Sequence, residues 1–368
     1  MKIAPIKNIS RTSKFNIKPL NSGQKQNKAV LEKEGLMSVA LASAISAASL
    51  IKPLKISNKD IEDAFEKNNY KKNEYGFTRE VSDDEKKNIK DKFGSIAENY
   101  IALLEAPVYS EDIENMKDFL NIDKKNGRKI LKENFNNFVF VYLNLQKQCY
   151  MSDYSEKCED NKNYFQLMKN LAESDFHNDI LLDSHSYKLN SAKHWNNYVR
   201  DNICHNKEMP EYLKPMVDNM TSYIEAQKIE NPITLYKGSG YDILKHVKLK
   251  NGEMINLGKM MQETEENPEN EQKIKDIIKN NNISVKNAGF LSTSYDKYAA
   301  YNFSKNRIFW TFITEPNTKG AFIDGINVNR LYVDEKEVLL QKNSKITLLD
   351  AEYNSKNGLW KISARVSN

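Results

Sequence analysis

Apolar positions recur with a helical period in the first part of this chain and with a strand period in the last. From Ser57 to about Tyr150 the spacing is helical. Ser82-Asp83-Asp84-Glu85 reads as a capping box, and behind it Ile89, Phe93, Ile96, Ala97, Tyr100 and Leu104 fall on one helix face. Ser110 is expected to open the next helix, with Ile113, Met116, Phe119 and Leu120 inward. Asn134 to Leu145 is aromatic and apolar almost throughout, as in a buried helix. A polar stretch from Ser152 to Asn163 is the expected domain boundary. Two further helices follow, one over Trp195 to Cys204 and one carrying Leu213, Met216, Val217, Met220 and Ile224. Then the period changes. Ile233 to Tyr236 reads as a strand that breaks at Gly238-Ser239-Gly240, and Gln262 to Asn270 as an acidic surface loop. From Val285 onward short strands dominate: Ile308 to Ile313, Ala321 to Ile323, Val338 to Leu340, and a closing hairpin around Asn357-Gly358. Helices first and strands later predict an α+β fold. No internal repeat is visible.

Composition narrows the class. A chain of 368 residues can bury a real core, and two domains are expected. Hydrophobic residues make up 39% and charged residues 29%, and the formal net charge is +5. The basic residues are nearly all lysine, with only seven arginines and no basic stripe interleaved with aromatics, which argues against nucleic acid as a partner. Cys149, Cys158 and Cys204 are too few and too scattered for a disulfide framework or a zinc cluster, so no metal is expected. Cys204-His205 reads as a helix end. Residues 1–30 form an expected disordered leader, rich in Ser, Asn and Lys, without the apolar run of a secretory signal peptide. Gly35 to Ile51 is weakly apolar, short for a membrane span and closed by Pro53. It reads as a buried or surface-docking helix, with membrane or secretion-chaperone contact as the other reading. Residues 31–155 are then a helical docking domain and residues 160–368 a catalytic domain.

Three short blocks carry the candidate chemistry: Leu235-Tyr236-Lys237-Gly238, Gly289-Phe290-Leu291-Ser292-Thr293-Ser294, and Tyr332-Val333-Asp334-Glu335-Lys336-Glu337. On an extended segment the period of two sends Glu335 and Glu337 to the same side. A fixed carboxylate beside a sugar can stabilise the positive charge of an oxocarbenium-like state. Taken singly, each block also reads as an ordinary strand end or turn.

In that order the blocks resemble the arginine–serine–glutamate class of mono-ADP-ribosyltransferases, over roughly Asn163 to Asn368. Asn197-Tyr198-Val199-Arg200 resembles the family's helix ahead of its first strand. The resemblance implies a mixed two-sheet ADP-ribosyltransferase fold, a glycosyltransferase reaction and NAD+ as substrate. It makes Glu337 the catalytic carboxylate, Glu335 the acceptor-side carboxylate together with Tyr332, and Ser292 the residue that orients Glu337. Tyr236, Lys237, Gly238, Ser292, Thr293, Ser294 and Phe303 would hold NAD+, with Phe303 stacked on nicotinamide. Lys237 departs from the pattern by standing where the family has arginine. It keeps the charge but loses the planar bidentate fork.

The order Tyr236, Gly238 and Glu337, the lysine-rich style and the leader without a signal peptide also resemble SopF-type effectors delivered by type III secretion. That resemblance implies a host protein acceptor in the host cytoplasm, with the vacuolar H+-ATPase as target, an Arf GTPase as activator, and peripheral membrane contact. The other reading is an inactive binding module that sequesters a host GTPase or membrane complex. The acceptor residue stays open between arginine and glutamine.

Overall fold

The computed structural model describes residues 54–149, 161–174, 183–184, 186–188, 192–305, 307–326 and 335–368. The helical spacing of the first part becomes α1 (Asn58–Lys67), α2 (Asp83–Phe93), α3 (Ala97–Leu104), α4 (Ser110–Leu120), α5 (Lys124–Glu133) and α6 (Phe135–Cys149). A small antiparallel sheet of β1 (Lys71–Lys72), β2 (Gly76–Thr78) and β3 (Val108–Tyr109) lies among them.

Ser82 does cap α2, its hydroxyl accepting from the Glu85 N–H at 3.2 Å. The return half of the box is missing, because Glu85 turns to Arg79 at 2.7 Å. The expected single helix face is also divided. Gly94 takes φ of 51°, a left-handed value that suits glycine, and the turn it opens separates α2 from α3. Ile89, Phe93, Ile96 and Ala97 remain buried across the break. Phe93 and Tyr100 stack across it at 4.5 Å.

After α7 (Asn161–Glu173), α8 (Ala192–His205) and α9 (Leu213–Ala226) the chain alternates strands and short helices. These are β4 (Lys228–Ile229), β5 (Thr234–Ser239), β6 (Val247–Lys248), β7 (Met254–Ile255), α10 (Leu257–Gln262), α11 (Glu269–Asn281), β8 (Ser284–Asn287), β9 (Leu291–Ser294) and α12 (Lys297–Asn302). Then come β10 (Ile308–Thr314), β11 (Thr318–Phe322), β12 (Glu337–Leu340), β13 (Ser344–Asn354) and β14 (Leu359–Ser367). The fold is α+β, as expected.

Nine strands form the main sheet in the order β4-β11-β12-β9-β5-β10-β14-β13-β8. β10 is buried almost throughout and pairs along its length with β5, antiparallel, and β14, parallel. Its Trp310 satisfies its indole by donating to the Ser239 hydroxyl at 2.8 Å. One junction is different. β5 and β9 share the single pair Tyr236↔Ser294, so the sheet is two smaller sheets joined at one point. The strands part beyond that pair and leave a seam.

Two expectations change. β5 does not break at Gly238 but runs through it to Ser239. A Cβ at Gly238 would lie 2.2 Å from the Ser304 nitrogen and 2.3 Å from the Phe303 carbonyl carbon, so the glycine admits a chain crossing rather than a turn. That crossing follows α12, a helix in the region where short strands were expected to dominate. Asp296 nucleates it, its carboxylate accepting from the Tyr298 and Ala299 N–H groups.

Residues from Lys55 onward make one compact unit. The six early helices belong to it through α6, whose Asn144 amide donates to the Asp324 and Gly325 carbonyls at 3.2 and 3.0 Å. The leader, the Gly35 to Ile51 stretch, Cys158, Tyr332 and most of the expected boundary lie outside the described residues. Among the described residues no helix is long and apolar enough to cross a membrane.

Candidate active site

Glu337 opens β12 and is only 4% exposed. β12 pairs with β9 from Glu337↔Ser294 to Leu340↔Leu291, which brings the acidic block and the serine block side by side. The Ser292 side chain lies near enough to the Glu337 carboxylate to favour its charged form. The Glu337 N–H donates to Asp324 Oδ2 at 2.9 Å. Asp324 sits in the short turn after β11, buried over α6.

Lys188 lies at the centre of this cluster. Its ammonium pairs with Asp324, with Glu335 at 3.2 Å and with Glu337 at 3.6 Å. The side chains of Lys188, Asp324 and Glu337 are 1%, 1% and 5% exposed. Burial pushes the Glu337 carboxyl up to about 7; Lys188 opposes that rise, and Glu335 and Asp324 add to it. Burial also raises Asp324, against the pull of Lys188. Burial alone would lower Lys188, but the three carboxylates hold it above the usual lysine value.

The two glutamates reach the same place by a route the period of two does not describe. Glu335 precedes the strand, and Lys336 between them takes φ of 47°. The backbone therefore departs from strand alternation there, and the two carboxylates lie beside the Lys188 ammonium. Lys336 is drawn away to pair with Asp296.

Across the seam, the Lys237 ammonium donates to the Ser292 carbonyl at 2.8 Å. It thus stitches β5 to β9 where the ladder has stopped. The residue is half-buried, and desolvation of the amine lowers it to about 8; the positive charge of Arg200 works in the same direction, while Glu337 and Glu335 oppose it. Arg200, on α8, is close to the serine block: a Cβ built on Gly289 would lie 3.3 Å from its Nε.

The other expected residues divide. Ser292 belongs to the cluster. The Thr293 hydroxyl points to the opposite face of β9 and donates to the Val338 carbonyl at 2.6 Å, and Ser294 Oγ accepts from the Asp296 N–H at 2.9 Å. Both hydroxyls are thus engaged in the fold. Tyr236 stacks on Phe309 at 5.9 Å. Phe303 is 53% exposed, just past α12 and beside Gly238. Cys204 is an exposed thiol at the end of α8.

Lys188, Asp324 and Arg200 were not read as site residues from the sequence. Asp324 had a signal, a lone acid inside the apolar run Ala321-Phe322-Ile323-Asp324-Gly325-Ile326. Lys188 had none, since its partners are far away along the chain.

Glu337 at the start of β12, Ser292 on the adjoining β9 and Lys237 on β5 are thus brought together beside the seam of the sheet. The chain belongs to the ADP-ribosyltransferase exoenzyme family, whose model it matches over residues 160–366. Membership places it among enzymes that transfer ADP-ribose from NAD+. Similar solved structures include Plx2a, an ADP-ribosyltransferase toxin from Paenibacillus larvae, at 17% identity and TM-score 0.44, covering 61% of this chain and 96% of that one. C3stau2 from S. aureus with NAD matches at 18% identity and TM-score 0.45, covering 58% of this chain and 97% of that one. The C3 exoenzyme of Clostridium limosum matches at 18% identity and TM-score 0.44, covering 60% of this chain and 100% of that one. No curated protein matches the chain.

Proposed function

We propose that this chain breaks the nicotinamide–ribose bond of NAD+ at the seam between β5 and β9 and passes ADP-ribose to a protein of a host cell. The observation that carries the reading is the convergence of Ser292, Glu335 and Glu337 on one buried cluster from two separate blocks of sequence. Glu337 would stabilise the positive charge that grows on the ribose as nicotinamide leaves. Ser292 would hold that carboxylate in place. Glu335, the more exposed of the pair, would face the acceptor, joined by Tyr332. Lys237 and Arg200 supply two positive charges for the diphosphate, while Tyr236, Gly238 and the exposed Phe303 border the nicotinamide end. Thr293 and Ser294 would support the site through the sheet.

The finer reading is a SopF-type effector, secreted by a type III system, that acts at host membranes. Its acceptor would be a vacuolar H+-ATPase subunit and its activator an Arf GTPase, with the early helices as the docking part. Incubation of host cytosol and membranes with the protein and biotin-labelled NAD+, followed by mass spectrometry, tests it. Label on a vacuolar H+-ATPase subunit that depends on an Arf GTPase supports this version. Label on other proteins removes it and keeps the transferase. A second reading, a binding module without turnover, draws on the lysine at the arginine position, whose ammonium is already committed to the Ser292 carbonyl. It requires that NAD+ be left intact with and without host cytosol.

A further inference from the structure

We propose that Lys188 is a positioning residue that fixes Glu337 against Asp324 and couples it to Glu335. This rests on the reading of Glu337 as the catalytic carboxylate. A buried lysine needs one counter-charge to be tolerated, and Asp324 alone would provide it. The geometry goes further. One Asp324 oxygen takes the Lys188 ammonium while the other takes the Glu337 N–H, so a single pair holds Glu337 by its backbone. The same ammonium holds the Glu337 carboxylate at 3.6 Å and the Glu335 carboxylate at 3.2 Å. Lys336 lies between the two glutamates in a left-handed conformation, so no strand geometry would keep their carboxylates together without this bridge.

The groups facing Glu337 explain why one cation matters. Asp324 comes from the turn after β11, Glu335 from the approach to β12, Ser292 from β9 and Lys237 from β5. The buried Tyr187 hydroxyl, bound by the Asn196 amide at 3.1 Å, feels the Glu337 charge from beside Lys188. Arg200 acts on Lys237 from α8. Among the described residues, Lys188 is the cation within ion-pair distance of Glu337. Its removal leaves two further carboxylates beside a buried third and so favours the protonated, unreactive form of Glu337.

The test is Lys188→Met and Lys188→Arg, with two readouts. One is the pH profile of nicotinamide release from NAD+. The other is the titration of the Glu337 side chain in 13C-glutamate-labelled protein, its resonance identified through Glu337→Gln. In Lys188→Met both the acid limb and the Glu337 midpoint should rise by about one pH unit or more. Turnover should then fall about fivefold or more at pH 7 and recover toward pH 8.5, with the KM for NAD+ little changed. Lys188→Arg should restore much of this. Should Lys188→Met fail to fold, the double change Lys188→Met with Asp324→Asn removes the charge with its counter-charge. The pull of Lys188 on Glu337 exceeds the push of Asp324, so the shift should remain upward. An unmoved midpoint, or a loss equal at every pH, overturns the proposal. A risen midpoint in a protein whose native form releases no nicotinamide keeps Lys188 as a positioning residue and rejects the transferase reading instead.

Discussion

Charges in the early helices and charges in the site obey different rules. Among the described residues 54–149, several ion pairs sit at the surface: Lys72–Glu62 is 54% and 34% exposed, Lys90–Glu98 is 55% and 75%. Such pairs contribute about 0–1 kcal/mol and are screened by salt. Around Glu337, the side chains of Lys188, Asp324 and Glu337 are almost fully buried with the more exposed Glu335 at their edge, and burial raises the Glu337 carboxyl. Exposed pairs of this kind in the first region are replaceable. The second keeps a carboxylate in an environment that opposes its ionisation, which is a cost to folding and an asset for chemistry. Substitutions should therefore separate the regions by the sign of their effect on stability as well as by their effect on activity.

The largest expected effect is on transfer. Glu335→Ala should abolish labelling of the acceptor by about 100-fold or more while nicotinamide release survives, since only the acceptor side is removed. Equal loss in both assays would show that Glu335 serves the cleavage step.

Next is a stability gain from a change at Glu337. The Glu337 carboxyl is raised from 4.5 to about 7, equivalent to about 3 kcal/mol that the ionised form takes from the fold. A raised folded-state value stabilises the protein below the unfolded value of 4.5, and that contribution is lost as pH climbs through 7. Glu337→Gln should thus melt higher than the native protein at pH 8, with the advantage shrinking as pH falls toward 4.5. A lower Tm at pH 8 would mean that the pairing with Lys188 outweighs the burial.

Lys237 comes third. Lys237→Ala should weaken NAD+ binding by about 10- to 100-fold, the worth of one charge-assisted hydrogen bond. Its value near 8 predicts that activity declines above pH 8 as the ammonium is lost, and that Lys237→Arg removes this decline. An unchanged alkaline limb in Lys237→Arg would leave the amine with a seam-holding role alone. The smallest effect belongs to the early helices. Ser82→Ala removes the α2 cap and should cost about 1 kcal/mol in urea unfolding, with nicotinamide release untouched.

Much of the fold was legible because periodicity reports burial. β10, the closing hairpin, α6 and α9 stand where their apolar spacing put them. What was not legible depended on contacts between distant segments. Gly238 looked like a strand break, because the chain that crosses over it arrives from residues 303 and 304. α12 was hidden by the strand-like residues around it, although Asp296 carried its cap. In the site, the serine and acidic blocks could be found by their order. Lys188 could not, because its meaning lies entirely in three carboxylates from elsewhere in the chain. Strand geometry was expected to bring Glu335 and Glu337 together; Glu335 instead precedes the strand, and both carboxylates lie beside Lys188.

The central claim is that the buried carboxylate at the seam breaks the glycosidic bond of NAD+. The most direct measurement is the rate of nicotinamide release by the purified chain and by Glu337→Gln at pH 8, with and without host cytosol. The native chain should release nicotinamide above the buffer rate in at least one condition. Glu337→Gln, with its fold verified by its melting, should be slower by about 10²–10³, the usual effect of losing a preorganised electrostatic group. Equal rates in the two proteins, or no release by the native chain in either condition, would contradict the account.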